Sequence, residues 1–114
     1  MNVQTLVMMN DFTLENGATA CVPFSQRDVC WPDEEEFEER KLQVTGDFGT
    51  TMIFVGLLHH CSRENNTEIP RTSVLGQYLP KFIRPMEDFD YDIPADSEVR
   101  ARATPRMQQL LGYK

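Results

Sequence analysis

Residues 56–71 read GLLHHCSRENNTEIPR, and they bring together the residue types with the most chemistry in the chain. A histidine ends one extended segment, which we expect at Leu57–His60 after a bend at Gly56. An arginine opens the next segment, where alternating residues predict a strand over Thr72–Leu79. If the two segments pair across the polar loop between them, histidine and arginine lie close together. The stretch therefore predicts either a plain hairpin or a metal site.

The rest of the chain shows short strand patterns separated by turn residues. Apolar and β-branched runs predict strands at Val3–Met9, Ala18–Val22, Leu42–Val44 and Thr50–Val55. Asn10–Gly17 should turn the chain between the first two, and Val3–Met9 is apolar enough to be buried on both faces. Helices are predicted at Asp33–Lys41, Ser97–Arg102 and Pro105–Leu111, the last two within an irregular and helical tail at 80–114. This order favours a mainly β sandwich or barrel-like fold with a few short helices.

Length and composition limit the class of protein. The 114 residues fit one small domain. A net charge of -7 argues against a nucleic-acid partner, since phosphate binding needs a basic face. The chain has no apolar run of about twenty residues and no signal-peptide pattern, so we expect no membrane association and a cytoplasmic location. Cys21, Cys30 and Cys61 form an odd set without a CxxC pair, which indicates free thiols.

The chemistry of the opening stretch depends on which side chains share a face. Successive side chains of a strand point to opposite sides, so only one of His59 and His60 can face inward. Arg71 and Ser73 share one face of the next strand for the same reason. If His60 and Arg71 face the same interior, a metal-binding imidazole lies near a guanidinium that can grip a carboxylate. A carboxylate cosubstrate that chelates iron suits that arrangement, whereas a lone strand histidine is otherwise structural.

A set of spaced motifs narrows these alternatives. The chain carries, in order, Asp11-Phe12-Thr13, Glu15-Asn16-Gly17-Ala18, Val22-Pro23, Gly49, Phe54, Gly56, Leu58, His60, Asn65, Thr67 and Arg71. With this spacing the sequence resembles the phytanoyl-CoA dioxygenase family of iron(II)- and 2-oxoglutarate-dependent oxygenases over nearly the whole chain. The resemblance implies that residues 1–114 are the C-terminal part of such a domain. They would form part of a double-stranded β-helix, a cupin-like jelly roll.

The resemblance also implies roles for particular residues. His60 would be the distal ligand of a two-histidine, one-carboxylate iron(II) site, with His59 as its outward neighbour. Arg71 would hold the far carboxylate of 2-oxoglutarate, and Ser73 would assist it. The reaction implied for the whole enzyme is hydroxylation of an aliphatic carbon in a small-molecule substrate, coupled to decarboxylation of 2-oxoglutarate to succinate.

The sequence also departs from the family pattern. The H-x-D motif, which supplies the other two iron ligands, does not occur in these 114 residues, whose only histidines are His59 and His60. Phe24 and Gln26 replace the glycine and the histidine of the family's P-G-S-H turn. We therefore expect a truncated dioxygenase that holds no catalytic residue of its own and is inactive alone. The alternative is a degenerate, non-catalytic β-helix domain kept for binding. In either case exposed sheet edges favour self-association.

Overall fold

The chain forms two three-stranded sheets in the computed structural model, which describes residues 2–87 and 89–112. The strands are β1 Val3–Met8, β2 Ala20–Cys21, β3 Leu42–Gln43, β4 Thr51–Val55, β5 His60–Cys61 and β6 Ser73–Tyr78. The helices are α1 Glu34–Arg40, α2 Phe89–Asp92, α3 Glu98–Ala101 and α4 Pro105–Leu110, with a 3-10 turn at Ser25–Arg27. One sheet has the order β4-β1-β6 and the other the order β3-β2-β5. The prediction of a mainly β chain with a few short helices is confirmed.

The sheet that contains β1 buries one face only. β1 and β4 run antiparallel, with Val3 opposite Val55. Leu6 and Met8 on one face of β1 are 6% and 0% exposed, whereas Val3 on the other face is 44% exposed. The prediction that Val3–Met9 is buried on both faces is therefore wrong. An antiparallel sheet can leave one face in solvent, so burial of its strands alternates even where the sequence is continuously apolar.

The core is a small cluster around two phenylalanines. Phe12 and Phe54 are 2% and 8% exposed. The cluster also contains Leu6, Met8 and Ala18, with the partly buried Val44, Met52 and Leu58 packed against it. Burying a phenylalanine side chain contributes roughly 1.5–3 kcal/mol. Because Phe12 precedes β2 and Phe54 lies in β4, the cluster joins segments that are distant in sequence.

The segment between β1 and β2 is a turn closed by its own side chains. The Thr13 amide donates to Asn16 Oδ1 at 2.9 Å, and the Asn16 amide donates to Thr13 Oγ1 at 3.2 Å. The Asn16 side-chain amide donates to the Asp11 carbonyl oxygen at 2.7 Å. Gly17 then takes a φ of 76°, which a residue without a Cβ adopts without strain. The predicted turn at Asn10–Gly17 is confirmed.

The strand that carries the histidines is shorter than predicted. Residues 56–58 turn the chain, and the Leu58 amide donates to the Val55 carbonyl oxygen at 2.8 Å. β5 therefore begins only at His60, which lies opposite Cys21 of β2. Because β6 belongs to the other sheet, the hairpin considered for the two predicted strands does not form. The chain crosses from one sheet to the other within the loop that follows β5.

Side-chain caps define where the helices begin. Asp33 accepts a hydrogen bond from the Glu36 amide at 2.8 Å at the start of α1, which confirms the predicted helix. Residues 78–114 form a second compact unit, in which Ser97 caps α3 and Thr104 caps α4. Among the described residues, no helix is both long enough and apolar enough to cross a membrane.

Replacing Gly17 by alanine should destabilise the protein far more than replacing Gly49. Both glycines have a positive φ, 76° and 85°, so both substitutions strain the backbone by roughly 1–2 kcal/mol. A Cβ at Gly17 would also lie 2.7 Å from the Glu64 carbonyl oxygen, whereas a Cβ at Gly49 would meet nothing within 4 Å. We expect Gly17→Ala to lower the free energy of unfolding by at least about 2 kcal/mol more than Gly49→Ala, measured by urea denaturation. Equal losses would show that the turn does not abut the loop at Glu64.

Candidate functional site

His60 begins β5 with one ring nitrogen already occupied. Its Nδ1 lies 2.7 Å from the Leu58 carbonyl oxygen. A carbonyl oxygen only accepts, so Nδ1 carries the proton and Nε2 keeps its lone pair in the neutral ring. The ring packs edge-on against Phe54, with ring centres 5.0 Å apart. The side chain is exposed, and an oriented imidazole with a free Nε2 lone pair is what a metal ligand requires.

Arg71 is half-buried two residues before β6 and has no acidic partner in the described part of the chain. Its guanidinium carbon lies 4.6 Å from the centre of the Phe12 ring, a cation–π contact. Nη2 donates a hydrogen bond to the Ser62 hydroxyl at 3.2 Å. By contrast, Arg40 and Arg63 each contact a carboxylate. The groups that contact the Arg71 guanidinium, an aromatic ring and a hydroxyl, are therefore both neutral.

His60 and Arg71 each contact a phenylalanine of the same core cluster. The His60 ring packs against Phe54, and the Arg71 guanidinium lies over Phe12. Ser62, which contacts Arg71, is two residues beyond His60. The two side chains are thus related through one buried cluster, although β5 and β6 belong to different sheets.

His59 is the more buried of the two histidines, contrary to the expectation that it faces outward. It is 7% exposed, and its ring stacks on Trp31 with ring centres 5.0 Å apart and planes 20° apart. Its backbone amide donates to the hydroxyl of the buried Ser25 at 2.8 Å. The loop before α1 therefore covers the outer side of β5. Alternation places the two histidines on opposite faces, but it does not reveal which face is covered.

The serine that contacts Arg71 is Ser62, whereas the predicted role of Ser73 in holding the carboxylate stays a prediction. Ser73 is half-buried at the start of β6, two residues beyond Arg71. The hydroxyl within hydrogen-bonding distance of the guanidinium is that of Ser62. The signal for Ser62 was present in the sequence, because it follows His60 by the same two-residue step that relates Ser73 to Arg71. Ser62 is therefore an additional candidate for binding the same carboxylate as Arg71.

The loop after β5 is braced by the asparagine and threonine of its N-x-T pattern. Asn65 Oδ1 accepts a hydrogen bond from the Thr67 amide at 2.9 Å, and Asn65 Nδ2 donates to the Ile69 carbonyl oxygen at 2.9 Å. The Asn66 amide donates to the Glu15 carbonyl oxygen at 2.8 Å, which ties the loop to the turn between β1 and β2. The motif thus has a structural role, because its hydrogen bonds stabilise the loop that leads to Arg71.

Asn10 fixes the backbone on both sides of Arg71. Its side-chain amide donates to the Pro70 carbonyl oxygen at 3.2 Å, and its Oδ1 accepts from the Thr72 amide at 2.8 Å. One side chain therefore satisfies a backbone acceptor before the arginine and a backbone donor after it. Sequence reasoning assigned Asn10 only to a turn. Its partners lie some sixty residues away in the chain, and no local pattern predicts them.

The described residues do not fit an iron(II) ion by themselves. Among residues 2–87 and 89–112, no group of three or more histidine, cysteine, aspartate or glutamate side chains is placed to hold a metal. A facial iron(II) site needs three protein ligands that leave positions open for cosubstrate and oxygen. His60 offers a single nitrogen. The described histidine therefore offers one of the three protein ligands that such a site needs.

Comparison with known protein families agrees with the spacing of the motifs. The model of the family described as phytanoyl-CoA dioxygenase (PhyH) matches residues 2–73. The chain belongs to the phytanoyl-CoA dioxygenase family. The matched range contains His60, Arg71 and Ser73, so the residues singled out above lie inside the family region. The predicted family membership is confirmed.

Curated relatives of the chain include fungal dioxygenases. The chain is 26% identical over 113 residues to Dioxygenase cdmD of Talaromyces verruculosus, an alignment that covers 98% of this chain and 36% of that protein. It is also 26% identical over 113 residues to Dioxygenase sphC of Aspergillus fumigatus, covering 98% of this chain and 30% of that protein. The chain thus spans between 30% and 36% of the length of these two relatives.

A solved structure shares the arrangement of the strands. The crystal structure of EctD from S. alaskensis with 2-oxoglutarate and 5-hydroxyectoine matches with a TM-score of 0.56 and 29% sequence identity. The match covers 65% of this chain and 29% of that one. Over about two thirds of its length the chain therefore has a fold similar to part of a protein crystallised with 2-oxoglutarate.

The cysteine opposite His60 should resist alkylation. Cys21 is buried, and burial raises the pKa of its thiol, so a smaller fraction is thiolate at a given pH. Cys30 is exposed. At pH 8 we expect iodoacetamide to label Cys30 much faster than Cys21, with the Cys21 rate still rising at higher pH, as followed by mass spectrometry of peptides. In urea the difference should disappear. Equally fast labelling in the folded chain would show that the Cys21 thiol is not buried.

Proposed function

We propose that this chain forms the 2-oxoglutarate-binding side of an iron(II)- and 2-oxoglutarate-dependent dioxygenase of the phytanoyl-CoA type. The observation that carries the proposal is the half-buried guanidinium of Arg71, held by neutral groups and facing no carboxylate among the described residues. A guanidinium that is paired with no carboxylate of the protein leaves its charge available to a bound anion. A planar dicarboxylate such as 2-oxoglutarate suits a guanidinium, which donates two parallel hydrogen bonds.

Two serines are in position to assist Arg71. The Ser62 hydroxyl accepts a hydrogen bond from Nη2, which leaves its own proton free to be donated to a carboxylate oxygen. Ser73 lies two residues beyond Arg71 and is half-buried. We propose Arg71 and Ser62 as the main contacts of the cosubstrate carboxylate and Ser73 as a secondary one. EctD, the similar solved protein, was crystallised with 2-oxoglutarate, which supports this choice of ligand.

The fold is consistent with half of a double-stranded β-helix. The strands are divided between two sheets, with β1, β4 and β6 in one and β2, β3 and β5 in the other, and the chain crosses between the sheets after every strand except β2. Repeated crossing between two sheets is typical of jelly-roll topology. We propose that the two sheets are part of such a barrel, with His60 and Arg71 on its inner side. The three cysteines are free thiols, which supports a reducing compartment such as the cytoplasm.

Iron(II) chemistry needs more than these residues provide. His60 would supply one ligand through Nε2, and bound iron would serve to activate oxygen in the complete enzyme. We propose that the two H-x-D ligands lie outside residues 1–114 and that the chain alone is inactive. What these residues do is bind and orient the cosubstrate through Arg71. The acceptor we propose is a small molecule, as in other members of this class of enzyme.

A non-catalytic binding domain is the second candidate function. The observation in its favour is the apolar outer face of the sheet β4-β1-β6, on which Ile53 and Val74 are 69% and 54% exposed. An open sheet with an apolar face favours association, including self-association through its edges. Affinity for 2-oxoglutarate separates the two candidates, because only the first requires a functional Arg71.

Replacing Arg71 should weaken the binding of 2-oxoglutarate. We expect Arg71→Ala to weaken the dissociation constant at least about tenfold in isothermal titration calorimetry, because a charge-assisted hydrogen-bond pair is lost. Arg40→Ala is the matched control, since Arg40 pairs with Asp28 and Glu36 and carries no proposed ligand. Identical binding heats for the unaltered chain and Arg71→Ala would overturn the proposal.

The isolated chain should not turn over 2-oxoglutarate. With ferrous iron, ascorbate and 2-oxoglutarate we expect no succinate above background, because the described residues hold no three-ligand metal site. A family member that carries the H-x-D motif serves as the positive control. Succinate formed by residues 1–114 alone would contradict the assignment of the missing ligands.

A further inference from the structure

The ring of Phe12 lies beneath the guanidinium of Arg71. The guanidinium carbon is 4.6 Å from the ring centre, while the ring itself is only 2% exposed. A ring this deeply buried is fixed by close packing on its other sides, so it offers a stationary platform. Phe12 is also tied in its backbone, because its amide donates to the Gly46 carbonyl oxygen at 2.8 Å and its carbonyl accepts from the Gly46 amide at 3.1 Å.

The neighbouring contacts leave the Arg71 side chain mainly one motion, a rotation of the guanidinium plane. Asn10 holds the backbone at Pro70 and Thr72, so the Cα of Arg71 is fixed. Ser62 binds one end of the guanidinium at Nη2. A group held at its base and at one tip can still rotate about the line between them. The Phe12 ring limits that rotation, because the guanidinium gains most attraction when it lies over the ring face.

We infer that Phe12 is a positioning residue that sets the plane of the Arg71 guanidinium for a carboxylate. The inference rests on the proposed binding of 2-oxoglutarate and adds a residue that does not touch the ligand. A carboxylate accepts two parallel hydrogen bonds only when it lies in the plane of the guanidinium. Fixing that plane in advance removes the conformational entropy that the side chain would otherwise lose on binding. Phe12 thus contributes to cosubstrate affinity through Arg71.

The first test compares two substitutions in the same core cluster. Phe12→Leu removes the aromatic face and keeps an apolar side chain, whereas Leu6→Val removes a little apolar volume and no aromatic face. We expect Phe12→Leu to weaken 2-oxoglutarate binding about 3- to 30-fold in calorimetry, the range that corresponds to a cation–π contact. Leu6→Val should leave the dissociation constant unchanged. Thermal unfolding of both variants verifies that each is folded at the temperature of the titration.

The second test needs no ligand and no core substitution. In the unaltered chain the Nε proton of Arg71 lies near the face of an aromatic ring, so its NMR signal should be displaced upfield by the ring current. Arg71→Lys identifies the signal by removing it. The displacement should vanish in Phe12→Leu and persist in Leu6→Val.

The outcomes separate this inference from the proposed function. Equal 2-oxoglutarate affinities for Phe12→Leu and Leu6→Val would overturn the positioning role, as would an undisplaced Arg71 signal in the unaltered chain. If the unaltered chain binds no 2-oxoglutarate, the proposed function fails, and the NMR displacement alone then decides whether Phe12 orients Arg71. A displaced signal together with a selective loss of affinity in Phe12→Leu supports both.

Discussion

The buried side chain of Asn16 closes the turn on which the candidate site depends. It is 7% exposed, and it accepts from the Thr13 amide and donates to the Asp11 carbonyl oxygen. A buried amide with its partners satisfied is stable, whereas an unsatisfied one costs about 1–3 kcal/mol. With the turn closed, Phe12 enters the core and Gly17 lies against the loop after β5. The turn therefore supports both the ring beneath Arg71 and the loop that leads to it.

Two side chains of the candidate site rest on a shared core, although no backbone pairing connects them. His60 lies in β5 and Arg71 lies just before β6, and these strands belong to different sheets. What relates the two side chains is that each rests on a phenylalanine of one cluster, at 5.0 Å for His60 and 4.6 Å for Arg71. Since a close-packed core has low compressibility and transmits strain, a change in the packing of Phe12 or Phe54 would also displace the side chain that rests on it.

Patterns of neighbouring residues predicted individual strands and helices, whereas strand pairing and side-chain burial depend on residues far apart in the sequence. The strand at Thr51–Val55 and the helix capped by Asp33 follow from alternation, β-branching and a capping side chain, all of which act within a few residues. The hairpin considered for the two segments does not form because the partner of β5 is β2, some forty residues earlier. The order of exposure of His59 and His60 was reversed because burial depends on the loop that carries Trp31. Alternation shows that neighbouring side chains of a strand lie on opposite faces, but it does not show which of the two faces is buried.

Arg71 has no acidic partner among the described residues, although the chain is rich in acidic side chains. The chain has 18 acidic and 11 basic residues, so an arginine without a carboxylate is not explained by a shortage of acids. Arg40 and Arg63 contact Asp28, Glu36 and Glu38, while Arg71 is held by a ring and a hydroxyl. Had an acid lain beside Arg71, it would occupy the position that an anionic ligand needs, and the local field would repel that ligand. Neutral partners orient the guanidinium and leave its charge available, which is the condition for binding a carboxylate in a protein whose net charge is negative.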